Sequence, residues 1–280
     1  MTALSSLRIA FIGGGNMARG MIGGLIARGA DPAVITVSEP DAAARERLQR
    51  DFGVAVAHDN AAAIAGAQVV VLAIKPQIMA QVLRPLAPAL QKLQPLVISI
   101  AAGIPSGSLA EWIGPGVPVV RCMPNRPALI GAGATGLYAD ASVGAPERAL
   151  ASQVLASIGL AVWVQRESDI DLVTALSGSG PAYFFRLAEL MAEAAIAQGL
   201  DPVVARQLAA QTLAGAGQLV AAESTPDLAR MRAEVTSKGG TTEAALNQFG
   251  ALALDRTVAQ AMQAAAARSQ ELAAQFGKQP

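Results

Sequence analysis

Short apolar runs alternate with amphipathic stretches along residues 1–164 of the chain. The runs, rich in valine and isoleucine, lie at residues 7–12, 34–38, 54–56, 69–74, 96–100 and 117–123. A continuous apolar run of this length is typical of a strand that is buried on both faces of a parallel sheet. Because helical patterns with short links separate the runs, they predict an α/β fold with a parallel, doubly wound sheet. Residues 135–138 and 160–164 could add strands at its edge.

The pattern changes after about residue 165, where strand-like runs stop and helical repeats begin. Helices are predicted at residues 181–198, 202–223 and 251–275. The first of them is apolar nearly all round apart from Arg186, Glu189 and Glu193. Such a helix needs more cover than a small domain supplies, and a second copy of the chain is the simplest source of it. The pattern therefore predicts two domains, residues 1–164 and 165–280, with the second forming a homodimer.

A glycine-rich turn follows the first predicted strand and opens the first predicted helix. It reads Gly13-Gly-Gly-Asn-Met-Ala18 and so fills the pattern G-x-G-x-x-G/A, with Gly13, Gly15 and Ala18 at the small-residue positions. The first glycine permits a tight turn, the second lets a pyrophosphate approach the backbone, and the third small residue lets the helix pack on the strand. Strand, turn and helix in this order predict a dinucleotide-binding loop.

Polar residues at the ends of two later strands are candidate cofactor contacts. Glu39 lies 21 positions after Ala18 (39 − 18), about where an acidic residue would bind an adenosine ribose 2′-hydroxyl. A carboxylate there favours NAD and repels the 2′-phosphate of NADP, whereas Ser38 could hydrogen-bond that phosphate. Alternatively, Glu39 is a solvated turn residue before Pro40. Lys75 ends another strand, and its alternative is a surface lysine before a helix that starts with proline.

Composition narrows the range of functions. Hydrophobic residues make up 52% of the 280 residues, which supports a large core and a buried subunit interface. Lysine plus arginine equals aspartate plus glutamate at 21 each, so there is no excess of positive charge that would favour binding to nucleic acid. No apolar run reaches the roughly 18 residues needed to span a bilayer, and the N-terminus does not resemble a signal peptide, so a cytoplasmic location is expected. A single cysteine, Cys122, argues against a disulfide or a metal cluster, and a single histidine, His58, argues against a histidine base.

A polar, glycine-containing segment at residues 235–243 interrupts the helical half of the chain. Residues 237–240 are predicted to form a loop, and Thr241 or Thr242 is predicted to start the next helix. Free N–H groups at that helix start would hold an anion such as a carboxylate. A turn capped by threonine explains the same pattern equally well.

Six segments carry a resemblance to a known family. They are Phe11-Ile-Gly-Gly-Gly-Asn-Met-Ala18, Ala73-Ile-Lys-Pro-Gln77, Ser99-Ile-Ala-Ala-Gly103, Arg121-Cys-Met-Pro-Asn125, Leu176-Ser-Gly-Ser-Gly-Pro-Ala-Tyr183 and residues 235–246. With these, the chain resembles pyrroline-5-carboxylate reductase over nearly its whole length. The resemblance implies a Rossmann-type doubly wound sheet followed by an all-α dimerisation domain. It also implies reduction of 1-pyrroline-5-carboxylate to L-proline, the last step of proline biosynthesis, by hydride transfer from NADPH, with NADH as a second possible cofactor.

The resemblance also implies roles for individual residues. Cofactor contacts would come from Gly13, Gly15, Asn16 and Met17 at the pyrophosphate, Ser38, Glu39, Pro40 and Asn60 around the adenosine, and Ala73, Ile74, Lys75, Pro76 and Ala102 along the rest of the groove. Substrate contacts would come from Ser237, Lys238, Gly239, Gly240, Thr241 and Thr242, with Glu223 as a weaker candidate. Thr242 would lie nearest the ring nitrogen and act as the catalytic residue. No metal is expected, and the homodimer could assemble into a larger homo-oligomer.

Three positions depart from the family pattern. Arg126 stands where threonine is usual, Lys238 stands where proline is usual, and Glu39 is acidic beside the adenosine site. The first two add positive charge near an anionic substrate, and loss of proline loosens the loop because proline fixes φ. Glu39 leaves the choice between NADPH and NADH open.

Two other functions are alternatives to the reductase. A β-hydroxyacid dehydrogenase would need a catalytic lysine on a helix after a glycine-rich segment, and residues 181–223 contain none. A non-catalytic NAD(P)-sensing protein would leave residues 237–242 unexplained. Reducing an imine needs only a hydride and a proton on nitrogen, so a weak donor such as threonine suffices, which suits a chain with one histidine.

Overall fold

The computed structural model describes residues 4–278, and a sheet of eight strands occupies the first part of that range. The strands are β1 Ile9–Ile12, β2 Ile35–Ser38, β3 Ala55–Ala57, β4 Val69–Leu72, β5 Leu96–Ser99, β6 Val119–Met123, β7 Gly133–Tyr138 and β8 Gly159–Trp163. The helices are α1 Asn16–Ala27, α2 Ala42–Phe52, α3 Asn60–Ile64, α4 Met79–Leu93, α5 Ser106–Ile113, α6 Ala145–Leu155, α7 Asp169–Val173, α8 Gly180–Ala197, α9 Pro202–Ala222, α10 Leu228–Glu234, α11 Thr241–Ala251 and α12 Leu254–Phe276. Short 3-10 helices include Pro76–Ile78 and Arg126–Ile130, and a π-helical turn spans Thr174–Gly178.

The strand order is β3-β2-β1-β4-β5-β6-β7-β8. Strands β1 to β6 are parallel, and the chain crosses from one side of β1 to the other between β3 and β4, which creates the switch point of a Rossmann-type sheet. This confirms the predicted α/β fold, and β7 and β8 confirm the two added edge strands. The sheet is not wholly parallel, because β7 runs antiparallel to β6. Only residues 124–132 join these strands, too few for the crossover that a parallel pair needs.

Both faces of the sheet are covered, which explains the continuous apolar runs. Every residue of β1 and β4 is buried. Because successive side chains point to opposite faces, Phe11 packs in a cluster with α1 residues such as Leu25, whereas Ile12 packs in a second cluster with α4 residues such as Leu83. Burying one such large side chain contributes about 1.5–3 kcal/mol.

The described residues divide into two compact units. One contains the chain up to Ser179 together with the end of the chain from Ala265, and the other is Gly180–Ala264. Within the first unit, the end of α12 packs on the loop after β5, since a Cβ built on Gly103 would lie 3.2 Å from Cβ of Leu272. The hydroxyl of Ser269 also donates a hydrogen bond to Asp171, 2.6 Å away.

The second unit is helical and exposes much apolar surface. In α8 only Gly180 and Ala192 are buried, while Phe184 and Phe185 are about 60% exposed. The predicted helices agree with the structure except in two places. A helix predicted to start at residue 251 starts at Leu254, because Ala253 takes a left-handed conformation with φ of 53°. The short charged helix α10 gave no apolar period from which to predict it.

The described residues contain neither a membrane-spanning helix nor a cluster of metal ligands. Among residues 4–278, no helix is both long and apolar enough to cross a bilayer. In the same part of the chain, no cluster of three or more His, Cys, Asp or Glu side chains could hold a metal ion.

Candidate functional site

The glycine-rich turn after β1 is held between two neighbouring strands. Gly13 has a left-handed φ of 99°, and a Cβ on it would lie 2.6 Å from the carbonyl oxygen of Ala73. The N–H of Gly13 donates to the carbonyl of Ser38 at 2.8 Å, and the N–H of Ala73 donates to the carbonyl of Ile12 at 2.9 Å. Backbone conformation and close approach therefore both require glycine at position 13.

The start of α1 is open to a ligand. Gly15 is the N-cap residue, no side chain caps the helix, and its first turn carries no acidic residue. A Cβ on Gly15 would meet no atom within 4 Å. The first N–H groups of a helix lack partners within the helix, and its N-terminal end is positive. This exposed cradle fits the pyrophosphate of a dinucleotide.

The other predicted cofactor residues lie at the same edge of the sheet. The strand registers pair Ile12 with Ser38 on one side and with Leu72 on the other. The carboxyl ends of β1, β2, β4 and β5 therefore meet, and the chain beyond them carries Glu39 and Pro40, Ala73 to Pro76, and Ala102. Asn60 opens α3 just after β3. In an open α/β sheet, ligands bind at this edge beside the switch point.

Ser38 and Asn60 contact each other directly. Ser38 is only 2% exposed, and its hydroxyl donates to Oδ1 of Asn60 at 2.5 Å. A hydroxyl has a single proton to donate, so that proton is already in use.

The Glu39 carboxylate points at the glycine-rich turn. Its Oε2 accepts the N–H of Gly14 at 3.0 Å, and its Oε1 accepts the N–H of Asp41 at 3.1 Å. The guanidinium of Arg45 donates to the backbone carbonyls of Glu39 and Pro40, at 2.7 and 2.8 Å. The turn after β2 is thus fixed in place, and its carboxylate lies beside the predicted pyrophosphate loop.

The predicted contacts after β4 and β5 lie near the surface. Lys75 and Ala102 are exposed, whereas Ala73 and Ile74 are half-buried. Lys75 is also the N-cap residue of the 3-10 helix Pro76–Ile78. The backbone after β4 is therefore placed along the groove, and the Lys75 side chain is accessible from solvent.

The predicted substrate loop lies in the second unit. Its helix, α11, begins at Thr241, with Gly240 as the N-cap residue and no side-chain cap. The N–H of Gly240 donates to the carbonyl of Ser237 at 3.0 Å. A Cβ on Gly240 would lie 2.5 Å from the Ser237 hydroxyl and 3.0 Å from its carbonyl oxygen. The loop is therefore a tight turn that leads directly into an open helix start, and the threonine cap that was the alternative is not formed.

Glu243 is a part of this loop that sequence reasoning missed. Its Oε2 accepts the N–H of Gly239 at 2.7 Å, and Gly239 has a left-handed φ of 74°. The signal was available, because an acidic residue three positions after the N-cap residue commonly reaches back to the backbone. Thr242 is half-buried, while Lys238 and Thr241 are exposed.

The weaker substrate candidate, Glu223, takes part in a surface ion pair. It ends α9, and its Oε1 accepts a hydrogen bond from Arg230 at 3.1 Å. This bond and a second one from Arg230 to Glu234 raise the pKa of the Arg230 guanidinium. A role for Glu223 in binding substrate would have to compete with this pair.

The sequence analysis also missed a partly buried ion pair. Arg121 of β6 is 4% exposed, and its Nη1 lies 2.9 Å from Oε1 of Glu167. The same carboxylate accepts the backbone N–H and the hydroxyl of Ser106, at 2.6 and 2.8 Å, at the start of α5. These bonds join segments far apart in the chain, so they support the sheet behind the site.

An open glycine-rich turn at the switch point of a mostly parallel sheet is typical of dinucleotide-binding oxidoreductases. Residues 8–103 match the family model of the F420-dependent NADP oxidoreductases, and residues 167–272 match the model of the pyrroline-5-carboxylate reductase dimerisation domain. The chain belongs to the pyrroline-5-carboxylate reductase family.

Relatives and solved structures agree with this assignment. The chain is 50% identical to the pyrroline-5-carboxylate reductase of Pseudomonas aeruginosa over 98% of this chain and 100% of that one. It matches a structure of a pyrroline-5-carboxylate reductase from Coxiella burnetii with a TM-score of 0.91 and 38% identity, over 95% of this chain and 98% of that one. It also matches the Plasmodium falciparum enzyme with NADP bound, with a TM-score of 0.80 and 26% identity, over 96% and 99% of the two chains.

These findings confirm the predicted family, fold and activity class. The chain is an NAD(P)-dependent oxidoreductase of the pyrroline-5-carboxylate reductase type. The β-hydroxyacid dehydrogenase and the non-catalytic sensing protein are not favoured. The dimerisation domain indicates a homo-oligomer.

Proposed function

We propose that this chain catalyses the last step of proline synthesis, the reduction of 1-pyrroline-5-carboxylate to L-proline by NAD(P)H. The observation that carries the proposal is the open glycine-rich turn, in which Gly13 is locked against Ala73 while Gly15 leaves the start of α1 uncovered. The names of the near full-length relatives supply the substrate. The predicted cytoplasmic location stays a prediction.

The proposed cofactor site follows the carboxyl edge of the sheet. Pyrophosphate binds at the start of α1, against residues Gly13, Gly15, Asn16 and Met17. Adenosine lies beside Ser38, Glu39, Pro40 and Asn60, and the groove continues along Ala73, Ile74, Lys75, Pro76 and Ala102. The parallel strands β1 to β5 support this assignment, because each of these segments follows the carboxyl end of one of them, the edge at which ligands bind in this fold.

The proposed substrate site is the start of α11. The N–H groups of Thr241 and Thr242 seat the substrate carboxylate, since no side chain caps this helix and its N-terminal end is positive. The loop of Ser237, Lys238, Gly239 and Gly240 shapes the seat, and Lys238 adds a positive charge. Glu223 is the weakest member of the set, because Arg230 already holds its carboxylate.

The chain has little acid–base chemistry to perform. A bound reduced nicotinamide supplies the hydride. The chain orients the imine and places a proton donor at the ring nitrogen, and the Thr242 hydroxyl is the proposed donor. An imine that arrives already protonated needs only a hydrogen bond from Thr242, so no histidine is required. His58, the one histidine, is exposed before α3.

NADPH is the proposed main cofactor, with NADH also used. A relative with NADP bound supports the first, and the acidic Glu39 at the ribose position supports the second. The homodimer is proposed to form through the apolar faces of the helical unit, and it could build a larger homo-oligomer.

The test of the proposal combines activity with cofactor binding. Purified protein mixed with pyrroline-5-carboxylate and NADPH or NADH should consume the reduced cofactor, seen as loss of its absorbance. Gly15→Leu should abolish cofactor binding without a steric cost to the fold, because its Cβ would meet open space. Gly107→Leu is the matched control, since that helical glycine also faces open space but lies in α5. Wild-type protein inactive with both cofactors, or Gly15→Leu binding them normally, would refute the proposal.

A further inference from the structure

A polar cleft lies beside the glycine-rich turn, between the start of α1 and the start of α2. It has a volume of about 370 Å³, and four charged side chains line it, namely Arg19, Glu39, Asp41 and Arg47. Its other wall is the turn itself, through Gly14, Gly15 and Asn16. Because the residue after β2 marks the adenosine ribose in this fold, the cleft is placed to receive whatever the ribose carries at its 2′ position.

The residues that end β2 are poorly suited to a 2′-phosphate. Ser38 is buried, and its only O–H is donated to Asn60. The Glu39 carboxylate is held at the turn by two backbone N–H groups, and its charge repels a phosphate. A chain that uses NADPH therefore needs a cation from elsewhere in the cleft.

Two of the neighbouring arginines are already engaged. Nη1 of Arg45 donates hydrogen bonds to two backbone carbonyls of the turn after β2. Arg19 lies 2.7 Å from Oδ2 of Asp51 and stacks over the ring of Phe52, 5.1 Å from its centroid. The hydrogen bond from Arg19 also lowers the pKa of the Asp51 carboxyl. Both guanidinium groups are thus fixed by strong contacts.

Arg47 is held only loosely. Its Nη2 lies 3.7 Å from Oδ2 of Asp41, beyond hydrogen-bond distance, and the two side chains are 52% and 60% exposed. An exposed pair of this kind contributes little to stability. Asp41 has other partners, because its carboxylate caps α2 by accepting the N–H groups of Ala43 and Ala44. Arg47 can therefore leave Asp41 at little cost.

We infer that Arg47 binds the adenosine 2′-phosphate of NADPH, while Glu39 accepts a hydrogen bond from the 2′-hydroxyl of NADH. A guanidinium matches a phosphate in geometry and charge, and in this cleft it offsets the repulsion from Glu39. The inference rests on the proposed cofactor site at the glycine-rich turn. It gives the two cofactors different partners in one cleft, so a single substitution shifts the preference between them.

Binding of two nucleotide fragments tests the inference without the imine substrate. Calorimetry compares adenosine 2′,5′-bisphosphate with 5′-AMP, which lacks the 2′-phosphate. Arg47→Ala should weaken binding of the bisphosphate about tenfold, as expected for loss of a hydrogen-bonded charge pair. It should weaken binding of 5′-AMP much less. The bisphosphate affinity of Arg47→Lys should lie between those of wild type and Arg47→Ala, because lysine keeps the charge but lacks the planar guanidinium. The ratio of kcat/KM for NADPH to that for NADH should fall with the bisphosphate affinity.

Arg50→Ala is the matched control. Arg50 lies on the same helix and is exposed, but its Nε contacts Asp51 and it does not line the cleft. Equal bisphosphate binding by the Arg47→Ala and Arg50→Ala proteins would overturn the role of Arg47. The cofactor site would still stand if wild type bound 5′-AMP and Gly15→Leu did not. Failure of wild type to bind either nucleotide would overturn both the inference and the cofactor site.

Discussion

Gly13 and Gly15 stand two positions apart and are required for different reasons. Gly13 has a left-handed φ and touches the backbone of Ala73, so a side chain there would disrupt the contact between β1 and β4. Gly15 has an ordinary φ of −68° and open space around it, so a side chain there would obstruct only a ligand. The fold explains the first glycine, and cofactor binding explains the second.

Glu39→Gln should raise the ratio of kcat/KM for NADPH to that for NADH. The amide oxygen of glutamine can still accept the N–H of Gly14, although its NH₂ group cannot accept the N–H of Asp41. The charge that repels a 2′-phosphate is removed. Removing about 1 kcal/mol of repulsion changes the ratio roughly fivefold. Steady-state kinetics with both cofactors measure it. An unchanged ratio would show that the carboxylate lies away from the ribose.

Some helices of this chain start with an aspartate cap, and both helices proposed to bind an anion start without one. Helices α2, α3, α9 and α10 each begin after an aspartate whose carboxylate accepts first-turn N–H groups. Helices α1 and α11 begin after Gly15 and Gly240, with no side-chain cap. An N-terminal aspartate stabilises a helix by about 1 kcal/mol more than an alanine would, and it also occupies the N–H groups that an anion needs. The starts of α4, α5, α6 and α7 also lack a side-chain cap, so an uncapped start does not by itself mark a binding site. Among the uncapped starts, those of α1 and α11 are proposed to bind pyrophosphate and carboxylate.

Substitutions at the start of α11 should separate substrate binding from catalysis. Gly240→Val should chiefly raise KM for the imine, because its Cβ would collide with Ser237 and open the turn. Thr242→Ala should lower kcat by up to about 10²-fold, the effect of losing a general acid, and by less if the imine arrives protonated. Steady-state kinetics that vary the imine separate these two effects.

Two controls keep this prediction specific. Gly250→Val changes a glycine of the same helix that faces open space, and Thr257→Ala removes an exposed hydroxyl from α12. Neither should change KM or kcat as strongly. Cofactor binding should hardly change in any of the four variants, since the glycine-rich turn belongs to the other compact unit. Wild-type kinetics in both test variants would contradict the proposed substrate site at the start of α11, and the substrate would then bind elsewhere.

At the scale of the whole molecule, the helical unit exposes apolar side chains in a way that a lone copy would not favour. Phe184, Phe185, Leu208 and Leu219 are each 57–63% exposed. Many exposed apolar side chains on one unit are typical of an interaction surface. The match to the dimerisation domain indicates that copies of the chain associate, and we expect these side chains to lie in the interface. The predicted division into residues 1–164 and 165–280 stays a prediction.

Phe185→Arg should shift the protein from dimer to monomer. A buried unpaired guanidinium in an apolar interface costs several kcal/mol, enough to weaken association by a factor of about 10² or more. Light scattering at micromolar concentration should show the change. Ile130→Arg is the control, because Ile130 is equally apolar and 82% exposed but lies in the other unit. A stable, active wild-type monomer would contradict the prediction.

The sequence by itself determined the local elements and the family. Apolar runs located β1, β2, β4 and β5, because strands buried on both faces must be continuously apolar. The glycine pattern located the turn before α1, and residues 237–240 located the turn before α11, because tight turns and helix starts depend on a few adjacent residues. Charged surface patterns were less informative, and α10 was missed.

Only the tertiary structure decided which distant groups meet. Glu39 reaches the N–H of Gly14, 25 positions away, and Arg121 reaches Glu167, 46 positions away. Such contacts form when the chain closes on itself, and no local period records them. The sequence could therefore predict that Glu39 lies near a ribose. Only the structure showed that the Glu39 carboxylate accepts the N–H of Gly14 and that the hydroxyl of Ser38 donates to Asn60. It also showed that the guanidinium of Arg47 lies beside the same turn without a close partner among the described residues.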